Sequence, residues 1–255
     1  GLGDVYKRQA KSLTSEQVTK AWENLLKSAH IEITVIGKAS YESIISEFKS
    51  RFAKINRQPQ AMLETKVKER AEEIKEVTEN MDVSQCKLVM GLYAGTAYPS
   101  KDTSAMIVMN ALFGGTAQSK LFLNVREKLS LCYYCAASFA EKSGVMFVDS
   151  GVESENIEPA RKEIENQLAL TAKGEFSDEL LEQAKLAMVC ALKGADDSPR
   201  NIADWYFSDC TKSEEDILSP EKLSELIEKV TKEQVMEFAA SLKLDTVYVL
   251  TGKEN

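Results

Sequence analysis

Histidine is nearly absent: His30 is the only one in 255 residues. A catalytic zinc takes three protein ligands and keeps one open position. With one histidine and no metal-spaced cluster, the chain cannot assemble such a centre from its own residues. No apolar run approaches the ~20 residues that a membrane-spanning helix requires. Positive charge has no excess, since 32 Lys and Arg against 40 Asp and Glu leave a net charge of −8. The two signs are interspersed, which argues against a nucleic-acid-binding face. The five cysteines (Cys86, Cys132, Cys135, Cys190, Cys210) are an odd number in a large chain. They read as buried free thiols in a reducing compartment, the cytoplasm. An initiator Met is also lacking. The leader GLGDVYKRQ, residues 1–9, contains a stretch from Asp4 to Gln9 that resembles a translated sequencing adapter, and it is set aside from the fold. On that reading the gene is cut here, and any signal peptide or upstream domain would lie beyond the cut.

What is present suffices for a core: 44% of residues are hydrophobic, and the length suits one to two domains. Cys132 and Cys135 form a C-x-x-C, but no second pair completes a zinc ribbon. The segment around them, Cys132 to Phe139, reads as a strand. Residues three apart on a regular strand point to opposite faces, which argues against a working dithiol.

The order of elements is legible from periodicity and caps. Thr14 to Lys27 is predicted helical, with Thr14 and Gln17 in a capping-box pattern. Ile31 to Ile36 is β-branched and ends at a glycine, the signature of a strand. Tyr41 to Phe52 carries a helical apolar stripe (Tyr41, Ile44, Ile45, Phe48, Phe52). Asn56 to Glu79 is charged and polar, and is expected to link two domains. A fuller domain follows. A strand is predicted at Lys87 to Tyr93 and a buried helix at Thr103 to Phe113, stopped by Gly114-Gly115. Thr116 to Lys128 forms an amphipathic helix with Leu121, Phe122, Val125 and Leu129 on its apolar side. Strands at Cys132 to Phe139 and Val145 to Val152 are joined by a turn at Lys142-Ser143-Gly144. Helices then run from Asn156 to Ala172 and from the Ser177 cap to near Gly194. Ser198-Pro199 and Ser219-Pro220 each start another.

The end of the chain repeats its beginning. Thr231 to Val235 (TKEQV) copies Thr14 to Val18 (TSEQV), and each helix leads to a β-branched stretch ending in glycine, Gly37 and Gly252. The near-constant offset points to internal duplication, with the first copy incomplete. The expected boundaries are 10–55 for the tail of a first domain, 56–80 for the linker and 81–255 for a complete second domain.

One stretch, LFGGTAQSKLFLNVREKLSLCY from Leu112 to Tyr133, is more specific. A buried helix ends in paired glycines, an S-x-L-F-x-x-V-R-E-K helix follows, and a strand begins at tyrosine. Ser150-Gly151-Val152 and Asn156-Ile157 continue the pattern. This resembles the second, zinc-free domain of the pitrilysin/insulinase family of metallopeptidases, the inverzincins, which include mitochondrial processing peptidase. The resemblance runs from about Gln85 to Gly252, and more weakly over Leu13 to Phe52.

The resemblance implies an α+β fold of duplicated domains, each an antiparallel sheet with helices on one face. It implies that zinc is bound by an H-x-x-E-H motif in the first domain, where the glutamate activates water. That motif does not occur in this chain, so no cofactor is expected here. Zinc belongs to a preceding domain or a partner subunit. By the same resemblance, an arginine and a tyrosine seven residues later contact substrate backbone from across a chamber; here they map onto Arg126 and Tyr133. Tyr134 is expected on the other sheet face. The implied function is the peptide-binding, non-catalytic half of a zinc peptidase, and the alternative is a zinc-free subunit or scaffold that pairs with an active homologue. The implied partners are a peptide substrate and a zinc-bearing homologous subunit or a second copy. No nucleic acid or membrane is expected.

Overall fold

The computed structural model describes residues 8–61, 67, 73–98, 100–208 and 217–252, without the side chain at 196. Residues 1–7, most of the adapter-like leader, lie outside them. The described residues fall into two compact units, one within Gly1–Glu64 with Ile202–Cys210, the other within Thr65–Asn201 with Thr211–Asn255.

The first unit contains α1 (Ser15–Ser28) and α2 (Tyr41–Phe52). The Thr14 capping box is formed in full: the Gln17 amide donates to the threonine hydroxyl and the Thr14 amide to the Gln17 side chain. At the other end of α1, the Arg57 guanidinium donates to the Leu26 and Ala29 carbonyls, a cation placed where the helix dipole favours it. No residue of α1 or α2 is buried. The strand expected at 31–36 is not formed, and no described residue of this unit lies in a strand. A β-branched stretch becomes a strand only when a neighbour takes its N–H and C=O groups, and no described residue in the unit does so. Ile33, Val35 and Ile36 accordingly stay exposed. The repeat between the two ends therefore holds for the capped helices and fails for the strand.

The second unit is built on a five-stranded sheet in the order β1-β5-β2-β4-β3, from β1 (Lys75–Met81), β2 (Cys86–Tyr93), β3 (Cys132–Ala140), β4 (Val145–Val152) and β5 (Lys243–Gly252). The β2–β4, β2–β5 and β3–β4 pairs are antiparallel. To this expected sheet the structure adds β1, paired in parallel with β5. β1 lies in the stretch expected to be linker. Its sequence, KEVTENM, is polar and all its side chains are exposed, so no apolar alternation announces it; polar side chains protect an edge strand from further pairing.

One sheet face is apolar. Leu88, Met90 and Leu92 of β2 are buried there, as are Met146 and Val148 of β4 and Cys135 and Ala137 of β3. The helices packing over this core are α3 (Thr103–Asn110), extended by a wider turn through Ala111–Gly115, α4 (Leu121–Lys128), α5 (Ile157–Ala172), α6 (Asp178–Lys193), α8 (Pro220–Glu228) and α9 (Lys232–Ser241). α5 packs beside α9, and α6 beside α8. α7 (Pro199–Ser208) and α8 both start at the expected serine caps. The Thr231 cap of α9 is a second complete capping box.

Gly114-Gly115 does not stop the helix where expected. The chain keeps helical hydrogen bonding through Gly115, and Thr116 is the cap. Gly114 serves close packing instead: a Cβ there would meet the backbone nitrogen and Cβ of Ala137 at 2.6 Å. Its lack of a side chain lets the helix approach β3.

Candidate functional site

The site lies where α4 hands over to β3. α4 has the wider, i→i+5 geometry, an arrangement often found at functional sites. Leu121 and Val125 are fully buried and anchor it, whereas Leu129, expected on the same apolar side, is 45% exposed because the helix ends there. Ser130 adopts φ 51°, and the Leu131 amide donates back to the Val125 carbonyl. This is a left-handed helix termination of the kind glycine usually supplies. It reverses the chain and delivers Cys132 to the sheet.

Arg126, in the last turn of α4, is held by three neighbours. Its guanidinium carbon lies 4.7 Å from the centre of the Phe122 ring. Its Nη1 is 3.2 Å from a Glu127 carboxylate oxygen. Its Nε donates to the backbone carbonyl of Tyr133 at 2.8 Å. Tyr133 is 56% exposed, and its hydroxyl donates to the Glu153 carboxylate. That acceptor, carrying negative charge beside the phenol, moves the Tyr133 pKa above its usual value.

The β3–β4 register explains the local geometry. Cys132 pairs with Val152, Tyr134 with Gly151 and Cys135 with Ser150. Tyr133 is therefore the extra residue of a β-bulge. Two expectations change as a result. Simple alternation puts Tyr134 on the sheet face opposite Tyr133, but the bulge breaks that alternation, and both residues border one cavity with Arg126 and Phe122. Regular alternation puts Cys132 and Cys135 on opposite faces, yet with one residue bulged out they fall on the same face.

The cavity is open and has a volume of about 370 Å³. Gly114, Gly115 and Thr116 form one wall. Tyr134 is fixed on its side: its hydroxyl donates to Asp149 at 2.9 Å, and Lys87 lies 6.0 Å from its ring centre. Partial burial, then the Asp149 bond, raises its pKa. The ring lies across Gly151, where a Cβ would come within 2.5 Å of it. Sequence reasoning set Tyr134 aside on strand alternation and did not single out Glu153 or Asp149, because a bulge leaves no composition signal. The arrangement offers guanidinium and phenol donors beside aromatic faces, suited to main-chain carbonyls and apolar side chains of an extended peptide.

His30 lies in the first unit, bonded to Glu32. Among the described residues no group of three or more His, Cys, Asp or Glu side chains is placed to hold a metal ion, and no helix is long and apolar enough to cross a membrane. The described residues do not fit a catalytic zinc.

The chain is 30% identical over 242 residues to the probable inactive metalloprotease YmfF of Bacillus subtilis (strain 168), a match over 95% of this chain and 56% of that protein. A conserved protein from Enterococcus faecalis V583 superposes with a TM-score of 0.88 at 25% identity, over 96% of this chain and 57% of that one. The peptidase M16 inactive domain from Pseudomonas fluorescens shares the fold, with a TM-score of 0.72 at 18% identity over 96% of this chain and 58% of that one. The chain thus spans little more than half the length of the relatives it matches. Residues 12–188 match the Peptidase M16 inactive domain, and on that match the chain belongs to the M16 metallopeptidase family, as one of its inactive domains.

Proposed function

We propose that this chain is the peptide-binding, non-catalytic half of an M16-type assembly, in which Arg126 and Tyr133 bind substrate backbone. The observation that carries the reading is the shared cavity. A guanidinium fixed by the scaffold and an exposed phenol flank one open hollow on the outermost strand of the sheet. Arginine remains charged and offers several fixed donors to a carbonyl. The tyrosine hydroxyl adds a neutral donor that can follow a carbonyl as it becomes an oxyanion. In the free chain Glu153 occupies that donor, so an incoming peptide exchanges one acceptor for another.

On this reading 81–255 is the second domain and 10–55 the end of a first one, working in the cytoplasm on peptides. Two assemblies fit: a preceding domain supplies zinc, or the protein is a zinc-free subunit that pairs with an active homologue or with itself. Kinship to YmfF, described as a probable inactive metalloprotease, supports the second. The test is peptide turnover and metal content of the purified chain, alone and mixed with a zinc-bearing homologous subunit. The chain alone is expected to bind no stoichiometric zinc and to cleave nothing, while the mixture cleaves. Near one zinc per chain, or cleavage by the chain alone, overturns the reading.

A further inference from the structure

The bulge at Tyr133 has a chemical consequence beyond peptide binding. It places Cys132 opposite Val152 and Cys135 opposite Ser150, two positions separated by one residue on β4. At a rise of about 3.3 Å per residue the two cysteine Cα atoms are then ~6.6 Å apart. Disulfides span Cα separations of about 4.4–6.8 Å with Cβ atoms ~3.8 Å apart, so the backbones are within reach and closing the bond requires the bulge to turn the two side chains toward each other. Both cysteines are free, Cys132 half-buried and Cys135 buried, and their thiols are near enough to shift each other's ionisation.

We propose that Cys132 and Cys135 form a reactive dithiol site that small-molecule disulfides oxidise to an internal disulfide, resetting the bulge that carries Tyr133. The chemistry divides between the two sulfurs. Hydrogen bonding from Cys135 first, then from Ser150, with the Arg126 charge adding, outweighs burial and lowers the Cys132 pKa to about 7. Near neutral pH Cys132 is thus substantially thiolate, the attacking form. Cys135 is pushed upward, chiefly by its bond to Cys132 and by burial, and stays protonated.

The Cys132 thiolate attacks one sulfur of a glutathione-type disulfide, forming a mixed disulfide and expelling one thiolate. With Cys132 so capped, its charge no longer opposes ionisation of Cys135. Cys135 loses its proton to solvent and attacks the Cys132 sulfur, expelling the second thiolate. The dithiol has lost two electrons and two protons, and the oxidant has become two thiols.

The ring so closed contains Tyr133 and Tyr134. Tightening it moves the Tyr133 carbonyl that receives Arg126, so oxidation is expected to weaken peptide binding. This last consequence rests on the function proposed above; the disulfide itself does not.

The test treats the full chain with oxidised glutathione, then alkylates the remaining thiols and maps them by mass spectrometry. Exposed Cys190 is the internal control. The expected result is a loss of about two mass units with Cys132 and Cys135 both protected. Cys135→Ser is expected to trap a stable glutathione adduct on Cys132, with little at Cys190. Alkylation of Cys132 should rise with a midpoint near pH 7. A lasting adduct on Cys132 in the wild type, or reaction at Cys190 in preference to Cys132, overturns the proposal. Amide exchange over 131–135 should change on oxidation, and unchanged exchange contradicts the reset of the bulge. If the disulfide forms but the reduced chain binds no peptide, the dithiol stands and the function proposed above falls.

Discussion

The Arg126 side chain reaches Tyr133 through the main chain: its Nε donates to the Tyr133 carbonyl at 2.8 Å, while the Tyr133 hydroxyl turns to Glu153. The arginine thus braces the bulge that presents the tyrosine. Arg126→Ala removes this hydrogen bond and the contact with the Phe122 ring. The group is part-exposed, so the expected loss of stability is about 1 kcal/mol. Denaturant titration at constant slope measures it. A loss above about 3 kcal/mol would show that the arginine is primarily structural.

The Tyr133–Glu153 pair predicts a pH signature. The glutamate raises the phenol pKa, so the folded state favours the neutral hydroxyl. Its stabilising effect is complete below the ordinary tyrosine value of about 10 and is lost as pH rises through the folded value. Ultraviolet titration should show Tyr133 among the late-ionising tyrosines, with Tyr134 and Tyr248, and Glu153→Gln should return one of them toward the ordinary range. No change in that variant would mean that the pair does not persist in solution.

Two glycine substitutions should differ in severity. At Gly114 a Cβ meets the Ala137 backbone at 2.6 Å, and neither element can yield cheaply. Gly114→Ala is expected to cost about 3 kcal/mol, the upper part of the overpacking range. At Gly151 the obstacle is the Tyr134 ring, which can swing aside. Gly151→Ala should cost about 1 kcal/mol, while changing the environment of Tyr134 and weakening its Asp149 bond. Thermal melts and tyrosine spectra separate the two, and equal costs would contradict this packing.

Ser130→Gly should stabilise the chain. A left-handed non-glycine residue costs about 1–2 kcal/mol, and added freedom of glycine in the unfolded chain returns about 0.4–1 kcal/mol. The net gain expected at Ser130, with φ 51°, is about 0.5–1 kcal/mol. A destabilised variant would mean that the serine makes a compensating contact.

Sequence reading was strongest where one residue type has one physical use. Thr14, Ser177, Ser198, Ser219 and Thr231 all cap helices as expected, because a short side-chain oxygen before an apolar periodicity has few other roles. The strand expected at Lys87 to Tyr93 forms as β2. It was weakest where pairing decides. Ile31 to Ile36 has the composition of a strand and no partner among the described residues of its unit, while polar β1 forms because β5 lies beside it. At the site, the spacing of Arg126 and Tyr133 was visible in the sequence. The bulge that brings Tyr134 into the same cavity and aligns Cys132 with Cys135 was not, since inserting one residue into a strand changes register without changing composition.

The central claim is that the hollow beside Arg126 and Tyr133 holds peptide backbone. The most direct measurement is fluorescence anisotropy of a labelled, unstructured peptide titrated with the reduced chain, its Arg126→Ala and Tyr133→Phe variants, and Lys222→Ala as a control on the remote α8. Each site variant should bind about tenfold more weakly, the loss of roughly one charged or exposed hydrogen bond, with folding retained and the control unchanged. Equal affinity in all four proteins would contradict the account.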